Sequence, residues 1–304
     1  MIETLAKNSI VNLVDLGLIQ VTGKNSAQFL QGQLTCDVTE VNAEQSRLGA
    51  HCDAKGRVQA TFRLFFYQDA YYFLLLKEVL PHLLLCLKKY AVFSAVNLID
   101  VTQHWKIIGL GAPSNTHLLS KKISLPKQDN SATLSETIIS LAVLDSRFIL
   151  LSADKESLSF IEGSFNELPI NNWHLWDIEA GIPMIYPETI GQFTPHQLNY
   201  PAIGGVSLNK GCYIGQEIIA RTHYLGKSKS RLHRLAFQAN NDFPPGTLIK
   251  NDEGSTQGTV IMAASEKNNH YQALACLQTQ AISHTIHLES PQGPILTLLK
   301  LPTE

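Results

Sequence analysis

The chain lacks paired cysteines, a long apolar run and an excess of either charge, and each absence removes a class of protein. Five cysteines, Cys36, Cys52, Cys86, Cys212 and Cys276, are spread over 304 residues with no C-x-x-C pair. An odd number at wide spacing predicts reduced thiols in a cytoplasmic compartment and no disulfide framework. The 11 histidines are scattered, with no pair at metal-ligand spacing on a predicted helix, so a dedicated zinc site is not expected. The longest apolar stretch, Tyr71 to Leu87, is broken by Lys77, Glu78, Pro81 and His82, too often for it to span a bilayer. The opening Met1-Ile2-Glu3-Thr4-Leu5-Ala6-Lys7 lacks a basic region followed by an apolar core, so no signal peptide and no membrane partner are expected. A formal net charge of -2 sets up no field toward nucleic acid or anionic lipid. With 44% hydrophobic and 16% charged residues, the composition is that of an ordinary globular chain long enough for two or three domains.

The chemistry is concentrated in Asn209-Lys210-Gly211-Cys212-Tyr213-Ile214-Gly215-Gln216-Glu217-Ile218-Ile219-Ala220-Arg221. A Gly-punctuated extended piece, residues 203–208, precedes it and a helical pattern follows. Ile214 and Ile218, and Glu217 and Arg221, are four apart and share helix faces. Cys212 is then expected at or just before a helix N-terminus with Lys210 two residues away, and both features favour a thiolate. A single Cys between glycines is otherwise often a small buried residue. The surrounding Lys, Gln, Glu and Arg are poor choices for a helix that only fills a core, and they favour the reactive thiol.

Earlier in the chain, Leu16 to Thr22 reads as a strand ended by Gly23. Asn25 then caps a helix, with Gln28 placed as in a capping box. Val58 to Phe66 and Tyr71 to Leu76 form a hairpin, and Glu78 to Tyr90 a helix with Pro81 in its first turn. Ser94 to Val101 and Lys106 to Leu110 are predicted strands, Pro113 to Leu119 a short helix, and Lys121 to Thr137 a polar surface loop. A second hairpin joins Ile138 to Leu144 with Arg147 to Ser152 across Asp145-Ser146, and a helix follows over Lys155 to Glu162. This succession suggests an α+β fold of ferredoxin-like sandwiches.

Within the helix predicted over Asn172 to Ala180, Leu175, Ile178, Glu179 and Ile182 follow i, i+3, i+4, i+7 spacing. Pattern alone leaves Glu179 as either a rim carboxylate with its head in water or a carboxylate offered to a polar ligand in a pocket. From Arg221 to Arg234 the chain holds Arg221, Lys227, Lys229, Arg231 and Arg234 and no acid. Such a run is usually a solvated linker; a seat for an anionic tail or for nucleic acid is the alternative. Only Tyr224 accompanies it, so direct tRNA binding is not expected. After Lys229 the texture changes to short strands (Leu232 to Phe237, Thr247 to Ile249, Thr259 to Met262, Tyr271 to Leu277, Ile282 to His287) separated by turns, a pattern for a small antiparallel β-barrel.

Lys210-Gly211-Cys212-Tyr213-Ile214-Gly215-Gln216-Glu217 resembles the K-G-C-Y-x-G-Q-E signature of the YgfZ family of folate-binding proteins, relatives of the aminomethyltransferase (T-protein) of the glycine cleavage system. Phe29-Leu30-Gln31-Gly32-Gln33-Leu34-Thr35, Glu179-Ala180-Gly181-Ile182-Pro183 and, approximately, Phe193-Thr194-Pro195-His196-Gln197-Leu198-Asn199 are similar to further family segments; His196 departs from the pattern and is given no catalytic role. The resemblance implies a three-domain ring around a folate cavity. Residues 1–45 plus 165–228 would form a discontinuous folate-binding domain, 46–164 a second α+β domain and 229–304 the barrel. It implies tetrahydrofolate or a derivative as cofactor, with Glu179 on the pterin edge, where a carboxylate accepts two parallel N–H donors. Lys210, Tyr213, Gln216, Glu217 and Arg221 would be the other cofactor-binding residues, and Cys212 with Lys210 the functional pair.

The implied role is help in assembling or repairing iron–sulfur proteins, with assembly factors or client cluster enzymes as partners. The radical enzymes that thiolate tRNA are among such clients. One thiolate cannot hold a cluster alone, so Cys212 would be a shared ligand or a redox thiol. Folate-dependent one-carbon transfer is the alternative, and whether the chain is an enzyme stays open. The T-protein's assisting aspartate has no counterpart that the sequence places, and K-G-C is not its signature; both argue against aminomethyl transfer.

Overall fold

The computed structural model describes residues 4–113, 123–226 and 228–302. Lys227 and all but the first residue of the helix predicted over Pro113 to Leu119 lie outside them. Three sheets carry the chain. The first runs in the order Arg47–Cys52, Val58–Tyr67, Ala70–Leu76, Leu16–Thr22, Asn97–Asp100. The second runs Asn166–Leu168, Ser9–Asn12, Lys106–Gly111, Arg147–Ser152, Ile138–Val143, Ala132–Ser135. The third runs Ile286–Leu288, Leu248–Asn251, Thr256–Ser265, His270–Gln278, Ser230–Gln238, Thr297–Leu299. The pairings cross the division expected at residue 46: Leu16–Thr22 lies between Ala70–Leu76 and Asn97–Asp100, and Ser9–Asn12 joins strands from residues 106 to 168.

Both expected hairpins form, and their turns explain why. Gln68 and Asp69 have φ of 46° and 57°, and Asp145 and Ser146 have 63° and 59°. Two successive left-handed residues give the turn whose twist matches the flanking strands. Two expectations need correction. The stretch expected as a loop to Thr137 contains the edge strand Ala132–Ser135. The third sheet is a curled half-barrel and not a closed barrel. Its edges, Ile286–Leu288 and Thr297–Leu299, are not paired to each other, and only an isolated bridge, His287 to Ile295, lies between them. The predicted strand from Ile282 shortens because Thr279–Ser283 coils into a 3-10 turn.

Among the described residues the α-helices are α1 (Ser26–Gln31), α2 (Leu80–Ala91), α3 (Ser159–Glu162), α4 (Ile170–Ala180) and α5 (Gln216–Leu225). Asn25 does precede α1, but its side chain makes no capping bond; Ser26 Oγ donates to the Gly23 carbonyl instead, at 2.7 Å. Helix α4 ends where Gly181 turns left-handed, φ 70°, and the Ile182 N–H closes back on the Asp177 carbonyl at 2.9 Å.

Helix α4 is buried on both sides. Trp173 and Trp176 lie on the second sheet over two glycines of Lys106–Gly111: a Cβ at Gly109 would sit 2.4 Å from the Trp173 ring, and one at Gly111 2.9 Å from that of Trp176. On its other side Asn171 brackets Ser265 of the third sheet, donating to its carbonyl at 2.6 Å and accepting from its N–H at 3.1 Å. Gly109→Ala should therefore force Trp173 off its seat and lower stability by about 1–3 kcal/mol in chemical denaturation. An unchanged midpoint would mean that the helix is not packed this closely.

Candidate functional site

Between the first two sheets and α4 lies a small pocket with a volume of about 70 Å³. Its walls are mostly apolar, with Phe62, Trp173 and Tyr200 among them, and its polar lining comes from Thr61, Arg63, Asp177 and Tyr200. Asp177 is held by Arg147, whose Nη1 donates to Oδ1 at 2.7 Å and whose guanidinium carbon lies 4.9 Å from the centre of a Trp173 ring. Arg147 is fully buried, and its Nη2 has no hydrogen-bond partner among the described residues. Burial pushes the Asp177 carboxyl above its ordinary range and Arg147 partly offsets this. Arg63 donates through Nη1 to Asn130 Oδ1 at 2.6 Å and to Ser46 Oγ at 3.2 Å. Burial, and then the like charge of Arg147, bring Arg63 down to about 10. Asp177 and, from the surface, Asp129 both offset these two guanidinium groups, so the charges around the cavity balance.

Glu179 sits on α4 as predicted, but the rim reading does not hold: it is 2% exposed. Its Oε2 accepts from the Thr4 N–H and the Thr4 hydroxyl, both at 3.1 Å, and its Oε1 accepts from Arg234 Nη2 and Gln272 Nε2, both at 3.3 Å. Arg234 thus leaves the basic surface run to which the sequence assigned it and is itself buried.

The signature forms a second, separate place. Residues 211–213 are a loop, and α5 starts only at Gln216, behind Gly215. At φ 82°, Gly215 would put a Cβ 2.5 Å from the Asp53 carbonyl, so the loop 53–57 presses on the start of α5. The 29–35 segment holds the other side: Ile214 N–H reaches the Gly32 carbonyl at 3.2 Å, Ser207 N–H that of Thr35 at 2.8 Å, and Thr35 Oγ1 donates to the Gly205 carbonyl at 2.6 Å. Lys210 is buried, and its ammonium donates to the carbonyls of Leu34 at 2.8 Å and Cys36 at 2.7 Å, above the Tyr213 ring. Tyr213 is buried too. Cys212 is exposed, as are Glu217 and Arg221, with Gln216 half-buried. The other thiols are withdrawn: burial pushes Cys36 and Cys276 up to about 12 and raises Cys52 and Cys86 as well.

The structure therefore brings Lys210, Cys212 and Tyr213 together on one loop, with Gln216, Glu217 and Arg221 on the helix behind it. None of the six is among the residues that line the cavity, and neither is Glu179. The sequence reading missed Asp177, Arg147 and Arg63. A signal for Asp177 was available: a helix apolar on nearly every side is buried all round, so a charge inside it must have a built partner.

This fold is that of the glycine-cleavage aminomethyltransferase class. The chain matches a crystal structure of glycine cleavage system aminomethyltransferase T from Bartonella henselae with a TM-score of 0.76, covering 97% of this chain and 86% of that one at 14% identity, a likeness of fold alone. No family model matches the chain. Among curated relatives, it is 35% identical over 265 residues to the tRNA-modifying protein YgfZ of Hamiltonella defensa, covering 84% of this chain and 79% of that protein. It is 32% identical over 305 residues to the protein of that name from Photorhabdus laumondii, covering 97% and 92%. The chain belongs to the YgfZ family.

Two outcomes follow from the geometry. Arg147→Met should cost about 3–5 kcal/mol, because it strands the Asp177 carboxylate in the interior; equilibrium unfolding reads this, and a loss under 1 kcal/mol would refute the buried pair. Burial lowers Lys210 from its ordinary 10.5 to about 8. Its ammonium therefore costs stability at neutral pH, and folding sheds that cost as pH rises from about 8 toward 10.5. The melting temperature of the wild type relative to Lys210→Met should climb through that window; a flat difference would remove the desolvated ammonium.

Proposed function

We propose that this protein is a tetrahydrofolate-binding accessory factor of the cytoplasm that supports iron–sulfur cluster assembly or repair, and through it the thiolation of tRNA by radical enzymes. The observation that carries the reading is the display of Cys212. It stands exposed on a loop anchored by the buried Lys210 ammonium and by the 29–35 segment, while the other four thiols are wholly or partly covered. A cluster takes four protein ligands, so one displayed thiolate can contribute to it only beside a partner's ligands, or act through a transient mixed disulfide. The polar neighbours of that thiol, Gln216, Glu217 and Arg221, lie away from the cavity and are assigned to the partner face; Lys210 and Tyr213 hold the loop.

The cavity is the folate seat in this reading. Aromatic walls accept a flat ring, and Arg63 and Asp177 supply a donor and an acceptor for its polar edge. The relatives' name, tRNA-modifying protein, is taken here as the downstream result of this support. A folate-dependent one-carbon transferase is the second reading, favoured by the aminomethyltransferase fold.

Titration calorimetry with tetrahydrofolate, paired with an assay for methylene-folate formation, separates the two. Binding without turnover supports the accessory factor, whereas turnover moves the assignment to the transferase. In cells lacking the endogenous protein, Cys212→Ser should fail to restore tRNA thiolation while still binding tetrahydrofolate in vitro. Full restoration would end the thiol role.

A further inference from the structure

The turn that follows α2 shows the solvent what a folded chain usually hides. Phe93 is 90% exposed and Val92 79%, and among the described residues no large apolar side chain is more exposed than Phe93. Tyr90, near the end of α2, stands exposed beside them. The turn is braced. The Phe93 and Ser94 N–H groups donate to the Tyr90 and Ala91 carbonyls at 3.4 and 2.9 Å, and a side chain on Gly23 would collide with the Ala95 carbonyl. An apolar cluster held out in this way marks a surface that meets something.

Between α1 and the end of α2 lies a hollow of about 350 Å³, lined in part by Asn25, Gln28, Gln33, Tyr90, Phe93 and Ser94. Gln33 is only 9% exposed, and its Oε1 has no hydrogen-bond partner among the described residues. Its backbone is already engaged: the N–H donates to the Leu30 carbonyl at 3.0 Å, and the carbonyl accepts from His51 Nδ1 at 3.1 Å. The side chain is the part left to serve the hollow. A buried acceptor without a donor lowers stability, and a bound N–H would remove that penalty. Lys24, Lys88 and Lys89 flank the lining residues in the chain and are exposed, and residues 23–33 and 88–97 hold no acid.

We propose that the hollow and the Phe93 turn are a docking site for an extended acidic segment of a partner protein, which rests an apolar side chain against Tyr90 and Phe93 and donates a backbone N–H to Gln33 Oε1. Amide and hydroxyl side chains, which both donate and accept, suit a peptide backbone, and the lysines favour acids around the anchor. Other occupants fit less well. An acyl chain has no donor for Gln33, and a second copy docked by the same patch would set lysines against lysines. Position joins the site to the reading of Cys212, on which the partner's role rests. Gly32 lines the hollow, and its carbonyl accepts the Ile214 N–H of the signature loop at 3.2 Å. A partner gripped here lies across the 29–35 segment from the displayed thiol.

The test pans a phage-displayed library of random short peptides without cysteine on the full chain. The enriched peptide is then measured by fluorescence anisotropy against the wild type, Phe93→Ser and Gln33→Met. Enriched peptides should share acids beside one large apolar residue. Phe93→Ser, at an exposed position, should weaken binding by about 10-fold or more, as loss of a central anchor does. Gln33→Met should weaken it by about 3- to 10-fold, the worth of one hydrogen bond, and leave the unfolding midpoint unchanged or higher, because it deletes an unpartnered acceptor. If the Met chain does not fold, Phe93→Ser and Lys88→Glu decide, and both should weaken binding.

Binding that survives Phe93→Ser overturns the site, as do enrichment of peptides without acids, no enrichment at all, or a Gln33→Met chain that is destabilised yet binds as the wild type does. Phosphatidylserine vesicles that carry the wild type but not Phe93→Ser, or a dimer that this substitution dissolves, would give the patch to a membrane or to a second copy and also overturn it. In cells, Phe93→Ser should restore tRNA thiolation poorly. If the peptide binds as described and Phe93→Ser restores thiolation fully, the docking site stands and its link to the thiol fails. If binding does not depend on Phe93, the site fails and the reading of Cys212 is untouched.

Discussion

Helix α4 has to be covered on both sides, and it carries a charge on each. Everything else in the interior is arranged to make that tolerable. The second sheet supplies Arg147 for Asp177 and two glycines for the tryptophans; the third sheet supplies Arg234 and Gln272 for Glu179. Burying an isolated carboxylate is far more expensive than any single contact in a domain can offset, so neither half can dock without its cation. The two ion pairs thus fix which sheet meets which face, and they set the cavity where the first two sheets meet the helix.

The signature loop answers a different demand, that of exposing one thiol on a loop tied down by hydrogen bonds. The ammonium of Lys210 is spent on two carbonyls of the 34–36 segment and Tyr213 is spent on packing, so the most chemically suggestive residues beside Cys212 are scaffolding. What the loop presents outward is the thiol, with the polar face of α5 behind it. The exposed thiol and the cavity occupy separate parts of the chain.

Much of the fold was legible in the sequence because its hairpins are local. Gln68-Asp69 and Asp145-Ser146 are turn pairs flanked by apolar runs, and nothing distant is needed to form them. The strands that escaped reading, Ser9–Asn12, Arg47–Cys52, Ala132–Ser135, Asn166–Leu168 and Thr297–Leu299, are mostly very short, and three of them owe their strand character to partners far away in the chain. The stripe of Leu175, Ile178 and Ile182 marked Glu179 as an acid among apolar residues, and the structure buries it. The stripe could not say that the partner was the third sheet. Asp177 was passed over because its cation stands 30 positions earlier, on another strand. Periodicity reports which residues share a face and is silent about what that face meets.

The carboxylate of Glu179 joins Thr4, at one end of the chain, to Arg234 and Gln272, near the other. A ribosome makes those groups in that order, with α4 emerging well before the strands that neutralise it. Until residue 272 has left the exit tunnel, the nascent protein holds a charge that its own interior cannot yet accept. Completion of the core therefore waits on synthesis of the third sheet, and a message cut short before it yields a chain with an unfinished interior, the kind of product that cellular proteolysis removes.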